Sequence, residues 1–350
     1  MTSYERKLAE LGWRPYFSSQ LEADELETTI PVRVMAVHRD ALQVLGDGVD
    51  ETVTPPRTDE NDEESAPTVG DWLLIDAKTH RPLRRLERFS VFKRRAAGTG
   101  RRIQLIAANV DTLFVVSSCN QDFNPARIER YLSLASEAGV MPVVVLTKAD
   151  LSDDASALAA EVVRLSPGLL VETIDARNPA DVTRLASWCG LGQTVALVGS
   201  SGVGKSTLVN TMTGAAIATQ GIREDDAKGR HTTTARALHR LPAGGWLLDT
   251  PGMRELQLAD VRDGIDSVFA DVATLAKSCR FTDCRHADEP GCAVQAAVRS
   301  GDLDPGRLAR WRKLLAEEAY NREALHERRS REKAFGKMVR EIVREKRRRR

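Results

Sequence analysis

The hydrophobic positions between residues 30 and 92 alternate with polar positions, a period of two that is typical of β-strands. Turn residues separate four runs with this pattern: Pro31–His38, Ala41–Leu45, Asp71–Asp76 and Leu83–Phe92. Short strands at this spacing predict a small antiparallel barrel. Its size is that of an OB-fold, a shape that often binds single-stranded nucleic acid, but the pattern fits an SH3-like or other small barrel without a ligand equally well.

Between residues 103 and 191 the pattern changes to buried strands that alternate with amphipathic helices. The segments Val110–Ser117 and Met141–Leu146 are almost continuously apolar, as the strands of a parallel sheet covered on both faces require. A helix is predicted from Pro125 to Ala138, because Pro suits the first helical position and Gly139 suits the position after the last. This alternation predicts a parallel α/β domain.

A glycine-rich segment joins the next apolar run, Thr194–Val198, to a helical pattern. It contains Gly-x-x-x-x-Gly-Lys-Ser, in which the glycines let successive backbone N–H groups point at the phosphates of a nucleotide. The predicted nucleotide contacts are Gly199, Ser200, Ser201, Gly202, Val203, Gly204, Lys205, Ser206 and Thr207. Lys205 would reach the two terminal phosphates, and the Ser206 hydroxyl would bind Mg²⁺. The alternative is an ordinary glycine-rich turn.

A second motif, Thr147-Lys148-Ala149-Asp150, follows the predicted strand Met141–Leu146. It is similar to the Asn-Lys-x-Asp motif of GTPases, in which the Asp carboxylate accepts hydrogen bonds from the ring N–H and the amino group of guanine. Adenine lacks this pair of donors, and the stem of Lys148 would pack on the purine. Thr147 stands where an Asn normally ties this loop to the phosphate loop, so we expect somewhat weaker binding of the base. The alternative role for Asp150 is to cap a helix.

The order of these two motifs is unusual, because the base-reading motif precedes the phosphate loop in the sequence. Ras-like proteins have the opposite order. After the predicted strand Leu169–Ile174 comes Asp175-Ala176-Arg177, where GTPases usually have Ser-Ala-x with a backbone N–H on the guanine oxygen. A backbone contact tolerates Asp in place of Ser, so Ala176 is a further candidate for contact with the base.

Two segments after the phosphate loop are candidates for contact with the γ-phosphate and Mg²⁺. The first is Gly229–Thr234, in which Thr233 would complete the Mg²⁺ shell. The second is Asp249-Thr-Pro-Gly252, which follows a predicted strand. Asp249 would hold Mg²⁺ through water, and the Gly252 N–H would contact the γ-phosphate. An Asp-x-x-Gly sequence alone is more often a simple turn.

The residue after Gly252 is Met253, where Ras-like enzymes carry the Gln that orients the attacking water. A thioether cannot orient or activate water, so another group must do this. His231 is the nearest candidate, although an isolated loop histidine is more often structural. The candidate catalytic residues are therefore His231, Lys205 and Thr233.

A cluster of soft metal ligands lies near the C-terminal end: Cys279, Cys284, His286 and Cys292. Three thiolates and one imidazole make a closed tetrahedral set of the kind that zinc prefers, with no position open for a substrate. We therefore expect one structural Zn²⁺, which would stabilise a segment with little core of its own. The alternative is a group of free thiols around an ordinary turn.

The composition of the 350 residues, 42% hydrophobic and 29% charged, is ordinary for a water-soluble chain long enough for two or three domains. No apolar run approaches 18 residues, and the first residues lack the apolar core of a signal peptide. We therefore expect a cytoplasmic protein without a membrane segment. Cys119 and Cys189 stand alone and are predicted to be buried thiols, which suits a reducing compartment.

The net charge of +1 hides an uneven distribution of charge. Residues 47–64 are acidic and residues 52–68 form a predicted loop, whereas residues 93–102 hold five basic side chains and two glycines. The chain ends in five consecutive basic residues, Lys346 to Arg350, after a helical pattern that begins at Arg307. Either basic segment could be a solvated surface, but next to a possible OB-fold and a zinc module they suggest contacts with an RNA backbone.

Taken together, the permuted order of the nucleotide motifs and the Cys₃His spacing resemble the circularly permuted, small-ribosomal-subunit-dependent GTPase family (RsgA, also called YjeQ). The resemblance covers residues 30–325. It implies an N-terminal OB-fold, a central GTPase domain and a C-terminal zinc domain. It also implies a cytoplasmic assembly factor that binds the small ribosomal subunit and its rRNA late in maturation, and that hydrolyses GTP in response. Thr147, Asp175 and the acidic insertion depart from the family pattern.

The predicted architecture is thus a multi-domain α/β protein with four segments. These are a tail (1–27), an OB-fold (28–100), a circularly permuted GTPase domain (101–265) and a helical zinc-binding domain with a basic C-terminal helix (266–350). We expect a monomer that binds GTP and GDP and is released from the subunit after hydrolysis. Two alternatives remain: a P-loop ATPase or kinase, and an RNA-binding protein whose nucleotide is only structural.

Overall fold

A computed structural model describes residues 2–38, 40–56, 62, 64–95, 103–214, 236–249, 253 and 261–322. Its helices are α1 (Ser3–Glu10), α2 (Pro15–Ser18), α3 (Glu25–Thr28), α4 (Pro125–Glu137), α5 (Ala155–Val163), α6 (Pro179–Val182), α7 (Lys205–Met212), α8 (Arg262–Val268), α9 (Ala270–Lys277), α10 (Ala293–Ser300) and α11 (305–322). Short 3₁₀ helices span Ala149–Leu151 and Thr183–Trp188. Over the ranges described, no helix has the length and apolar character needed to cross a bilayer.

The strands are β1 (Thr29–Val37), β2 (Leu42–Gly46), β3 (Val49–Val53), β4 (Trp72–Asp76), β5 (Pro82–Arg85), β6 (Val91–Arg95), β7 (Ile103–Ala108), β8 (Thr112–Ser118), β9 (Met141–Thr147), β10 (Leu170–Thr173), β11 (Thr194–Val198), β12 (Arg236–Arg240) and β13 (Trp246–Asp249). The parallel α/β pattern predicted from the sequence is confirmed, because β10, β9, β8, β11 and β13 are neighbours in that order and all parallel. The sixth strand, β12, pairs antiparallel with β13.

Helices cover both faces of this sheet, which explains why its strands are apolar at consecutive positions. One face, with Leu113 and Val144, packs against α4, α5 and α8. The other face, with Phe114 and Val145, packs against α6, α7 and the 3₁₀ helix Thr183–Trp188. The isolated thiols of Cys119 and Cys189 are buried, one on each side of the sheet, as predicted.

The N-terminal strands form an antiparallel sheet in the order β3-β2-β1-β4-β5, with a separate core on one face. Strand β1 is long enough to pair with β4, β2 and β12, and its register places Ala36 opposite Ala237 of β12. The N-terminal strands and the parallel strands are therefore parts of one 11-stranded sheet. The strand ladders do not by themselves define an OB-fold, which stays a prediction.

The predicted strand Leu83–Phe92 is in fact two strands, β5 and β6, that belong to different sheets. Between them, Arg88 makes a two-pronged ion pair with the fully buried carboxylate of Asp71, at 2.7 Å from each oxygen. The chain leaves the first sheet between these two strands, at the position of this contact. Strand β6 then pairs with β7 in a two-stranded antiparallel sheet.

The N-terminal helix α1 lies where the two parts of the large sheet meet. Arg33 of β1 is 1% exposed and donates hydrogen bonds to the carbonyl of Leu11, at 2.6 Å, and to the hydroxyl of Thr194, at 2.7 Å. Burial lowers the pKa of Arg33 to about 10, so the guanidinium is charged at neutral pH. Trp246 of β13 also donates to the carbonyl of Glu10 at 2.8 Å. Side chains thus fasten α1 to both β1 and the parallel sheet.

The C-terminal helices are attached to α4 through close packing and ion pairs. A Cβ atom at Gly264 of α8 would lie 2.2 Å from the carbonyl oxygen of Ser133, so only glycine allows this approach of α8 to α4. Glu129 of α4 is fully buried and accepts from Arg307 of α11 at 3.1 Å and from Arg310 at 2.6 Å. These contacts link the segment that carries the Cys₃His cluster to the parallel sheet.

Candidate functional site

The predicted nucleotide motifs that the structure describes lie at one edge of the parallel sheet. Parallel strands end at the same edge, and in open α/β sheets this carboxyl edge is where ligands bind. Here the loops after β9, β10 and β11 carry the base-reading motif, the Asp175-Ala176 pair and the phosphate loop. Asp249 is the last residue of β13 at the same edge. The permuted order in sequence therefore leaves the motifs as neighbours in space.

The phosphate loop begins with a close contact and ends at the first turn of α7. A Cβ atom at Gly199 would lie 2.2 Å from the carbonyl oxygen of Val116, so a larger residue cannot replace this glycine without movement of β8. Gly204 precedes α7 with a φ of 93°, a conformation that favours glycine. The Nζ of Lys205 donates to the carbonyls of Gly199 and Ser200, the first of them at 2.9 Å. The lysine thus lies along the inside of the loop.

Thr147 connects the candidate base-reading loop to the candidate phosphate loop. Its side chain is fully buried, and its hydroxyl lies 2.5 Å from the carbonyl oxygen of Val203 and 3.1 Å from that of Ser117. A hydroxyl has one proton to donate, and the shorter contact shows that Val203 is the main acceptor. The threonine therefore joins the two loops, which is the role that the GTPase pattern gives to an Asn amide.

The loops after β9 and β10 are also connected to each other and to α7. The N–H of Ala149 donates to the carbonyl of Ile174 at 3.4 Å, and the carbonyl of Ala176 accepts from Thr211 of α7 at 2.7 Å. Lys148 adopts the left-handed conformation, with a φ of 57°. Asp150 lies inside the 3₁₀ helix and its carboxylate contacts Arg177, so it does not cap a helix.

Two arginines beside these loops were not identified from the sequence. Arg177 donates to Asp150 at 2.6 Å and to both oxygens of Asp175 at 3.0 Å. Hydrogen bonds from the Arg177 side chain and backbone lower the pKa of Asp175, which is therefore ionised at neutral pH. Arg127, near the start of α4, donates to the hydroxyl of Ser200 in the phosphate loop. The only sequence signal for Arg177 was its position two residues after an unusual Asp.

Several predicted site residues lie outside the described residues: His231, Thr233 and Gly252. Met253 is described, and it is 2% exposed within the hydrophobic core. Its thioether packs against other apolar side chains, which agrees with the inference that this position does not handle the attacking water.

The predicted metal ligands come together at one point. Cys279, Cys284, His286 and Cys292 each place a ligand atom within 4.8 Å of all the others. Cys279 precedes the loop that leads to α10. Cys292 caps the N-terminus of α10, where its sulfur accepts a hydrogen bond from the N–H of Gln295 at 3.4 Å. This cluster can hold a metal ion.

The distances among Cys279, His286 and Cys292 fit a tetrahedral metal site. A Zn–S bond is about 2.3 Å, so two thiolates on one tetrahedral zinc lie about 3.8 Å apart. The sulfurs of Cys279 and Cys292 are 3.8 Å apart. With Zn–N near 2.0 Å, a sulfur and an imidazole nitrogen should be about 3.5 Å apart. Nδ1 of His286 lies 3.4 Å and 3.7 Å from the same two sulfurs.

His286 is held in a conformation and a protonation state that suit a metal ligand. It has a φ of 59°, and its carbonyl accepts from the side-chain amide of Gln295 at 2.5 Å. Burial and the positive charge of Arg312 lower the pKa of His286, which keeps the ring neutral. A neutral imidazole has a free lone pair for a metal, whereas the protonated ring has none.

A phosphate loop on a mixed sheet, with an Asp-bearing loop tied to it at the same carboxyl edge, defines a P-loop nucleotide-binding protein of the GTPase class. The RsgA GTPase family model matches residues 85–259. The chain is 53% identical over 326 residues to the small ribosomal subunit biogenesis GTPase RsgA of Mesorhizobium japonicum, with 92% of each chain covered. It is 49% identical over 352 residues to the small ribosomal subunit biogenesis GTPase RsgA 2 of Vibrio parahaemolyticus, with 100% of this chain and 96% of the relative covered.

Two solved structures have a similar fold. YjeQ from Thermotoga maritima has a TM-score of 0.59 at 23% identity, with 83% of this chain and 98% of that chain covered. YloQ, described as a circularly permuted GTPase, has a TM-score of 0.58 at 23% identity, with 83% and 94% covered. This chain belongs to the RsgA GTPase family.

Proposed function

We propose that this GTPase is a late assembly factor of the small ribosomal subunit, which binds rRNA in its GTP state and leaves after hydrolysis. The observation that carries the nucleotide part is the Thr147–Val203 contact, which holds the candidate base-reading loop against the phosphate loop. The assembly role rests on the names of the curated relatives, which match this chain over nearly its whole length.

The bound nucleotide lies along the carboxyl edge of the sheet, with its phosphates in the loop Gly199–Ser206. Asp150 accepts hydrogen bonds from the guanine N–H groups, and the stem of Lys148 packs on the ring. The N–H of Ala176 contacts the guanine oxygen. Lys205 moves from its contact with Gly199 to the terminal phosphates, where its charge stabilises the transition state.

The site fits a magnesium ion because its candidate ligands are oxygen atoms, which Mg²⁺ prefers. Ser206 follows Lys205 in the first turn of α7, and Asp249 ends the neighbouring strand β13. Thr233 completes the proposed set. When bound, Mg²⁺ neutralises charge that develops on the phosphate oxygens. His231 is the proposed group that positions the attacking water.

The Cys₃His cluster takes one structural zinc ion, supported by the proximity of its four ligand atoms and by the match of the Cys279, His286 and Cys292 distances to tetrahedral coordination. A small module of short helices gains much of its stability from such a metal. The proposed zinc domain and the proposed OB-fold flank the GTPase domain, and both contact rRNA. We propose that the protein is a cytoplasmic monomer with an N-terminal tail (1–27) followed by three domains (28–100, 101–265 and 266–350).

Base specificity tests the nucleotide part of this proposal. A fluorescent GDP analogue bound to the protein should be displaced by GDP and not by ADP. In Asp150→Asn the carboxylate becomes an amide, and the preference should shift from guanine to xanthine nucleotides. Displacement by ADP as efficient as by GDP would favour the ATPase or kinase alternative instead.

Co-sedimentation with small ribosomal subunits tests the assembly role. With a non-hydrolysable GTP analogue the protein should pellet with the subunits, and with GDP most of it should remain in the supernatant. Equal pelleting in both nucleotide states would contradict release by hydrolysis and would favour an RNA-binding protein with a structural nucleotide.

A further inference from the structure

Arg177 connects two carboxylates beside the proposed base site. Its Nη2 donates to Asp150 at 2.6 Å and to Asp175 at 3.0 Å, and its Nε donates to the other oxygen of Asp175 at 3.0 Å. Nη2 carries two hydrogens, so both contacts can form together. The side chain therefore has a two-pronged attachment to Asp175 and reaches Asp150 from there. We name these three residues the base-site bridge.

The two carboxylates would repel each other without the arginine. An oxygen of each lies within 3.0 Å of the same nitrogen, and both side chains are partly shielded from water, at 29% exposed for Asp150 and 23% for Asp175. Like charges this close disfavour each other unless a cation lies between them. Arg177 supplies that cation.

The contact also fixes the direction of the Asp150 carboxylate. A carboxylate oxygen has two lone pairs, so the oxygen that accepts from Arg177 can accept a second hydrogen bond from a base. We propose that Arg177, held by Asp175, is a positioning residue that orients Asp150 for recognition of guanine. This rests on the proposed base-reading role of Asp150. It also gives Asp175, which departs from the GTPase pattern, a specific function.

The test compares GDP with IDP, whose base lacks only the exocyclic amine. The ratio of their affinities measures the hydrogen bond from that amine to Asp150, which a merely structural residue would not change. Arg177→Ala should weaken GDP binding about fivefold. It should also lower the ratio of GDP to IDP affinity about threefold. Arg184→Ala is the matched control. Arg184 faces Glu172 at 3.7 Å, so its replacement removes the same charge without affecting a contact to Asp150.

A double variant separates orientation from repulsion. The double variant Asp175→Ser/Arg177→Ala lacks the second carboxylate. It should therefore recover about half of the GDP affinity that Arg177→Ala loses, on a logarithmic scale. A ratio unchanged by Arg177→Ala, or tighter binding of GDP to that variant, would overturn the role of Arg177 alone. A wild-type ratio near one would instead overturn the base-reading role of Asp150.

Discussion

The hydroxyl of Thr147 lies 2.5 Å from the carbonyl oxygen of Val203, so the end of strand β9 is joined directly to the phosphate loop. Both groups are buried, and no intervening residue is needed to couple the two loops. The contact joins two candidate nucleotide-binding loops that are formed by distant segments of the chain.

Thr147→Val removes the hydroxyl and keeps the size of the side chain. A buried carbonyl then loses its partner, which should lower the free energy of unfolding by about 1–2 kcal/mol. GDP affinity should fall about fivefold, because the two loops are no longer held together. Urea unfolding and a fluorescence titration measure these effects. Thr147→Ser keeps the hydroxyl and should bind GDP almost normally, so equal losses in both variants would contradict this role.

Glu129 should be more important for stability than its exposed neighbours. Its buried carboxylate accepts hydrogen bonds from Arg307 and Arg310. Glu129→Ala would remove this shared acceptor from both guanidinium groups. Arg307 keeps its ion pair with Asp271, so we expect a loss of about 2–3 kcal/mol in the free energy of unfolding. Glu317→Ala breaks the neighbouring, partly exposed contact with Arg130 and should cost no more than about 1 kcal/mol. Similar losses in the two variants would show that α11 is not attached through Glu129.

The ion pair between Glu25 and Arg84 predicts a specific dependence of stability on pH. The side-chain hydrogen bond from Arg84, followed by a backbone hydrogen bond, lowers the pKa of Glu25 from 4.5 to about 2. A lowered pKa means that this contribution is complete above pH 4.5 and is lost as the pH falls towards 2.

Comparison of wild type with Glu25→Gln isolates this contribution. Because the Arg84 side chain is 38% exposed, water screens the pair, and the difference in unfolding free energy at pH 7 should be about 0.5–1 kcal/mol. The difference should shrink steadily from pH 4.5 to 2 in chemical unfolding experiments. A difference that stays constant with pH would mean that the ion pair contributes nothing.

The zinc prediction is tested by metal content and stability together. The purified protein should contain one zinc per chain, and Cys284→Ser should contain much less, because three ligands bind zinc far more weakly than four. A chelator should also lower the unfolding temperature of the wild type and not that of the variant. Full zinc content in Cys284→Ser would contradict the proposed ligand set.

The parallel sheet and the phosphate loop could be predicted because their signals are local. Continuous apolar runs such as Val143–Leu146 and the glycines around Lys205 are set by neighbouring residues. The four metal ligands of the Cys₃His cluster could also be predicted, because four metal-binding side chains rarely occur so close together in a sequence by chance. Cys119 and Cys189 were predicted to be buried or half-buried thiols because they stand apart from the other cysteines, and both are buried.

The remaining features depend on contacts between distant parts of the chain. Nothing near Arg33 indicates that it will be buried beside Thr194, and an arginine in an alternating strand is normally assigned to solvent. The pairing of Ala36 with Ala237 has no local signal either. Leu83–Phe92 was predicted as one strand because its pattern does not show that Arg88 pairs with the distant Asp71 between two separate strands.

The most direct test of the whole account is single-turnover hydrolysis of GTP with and without purified small ribosomal subunits. The protein alone should hydrolyse GTP slowly, because Met253 replaces the water-orienting Gln and its side chain is buried in the core. Added subunits should raise the rate at least tenfold, a change of about 1.4 kcal/mol in the activation barrier. A rate that the subunits leave unchanged would contradict the proposal that hydrolysis reports on subunit assembly.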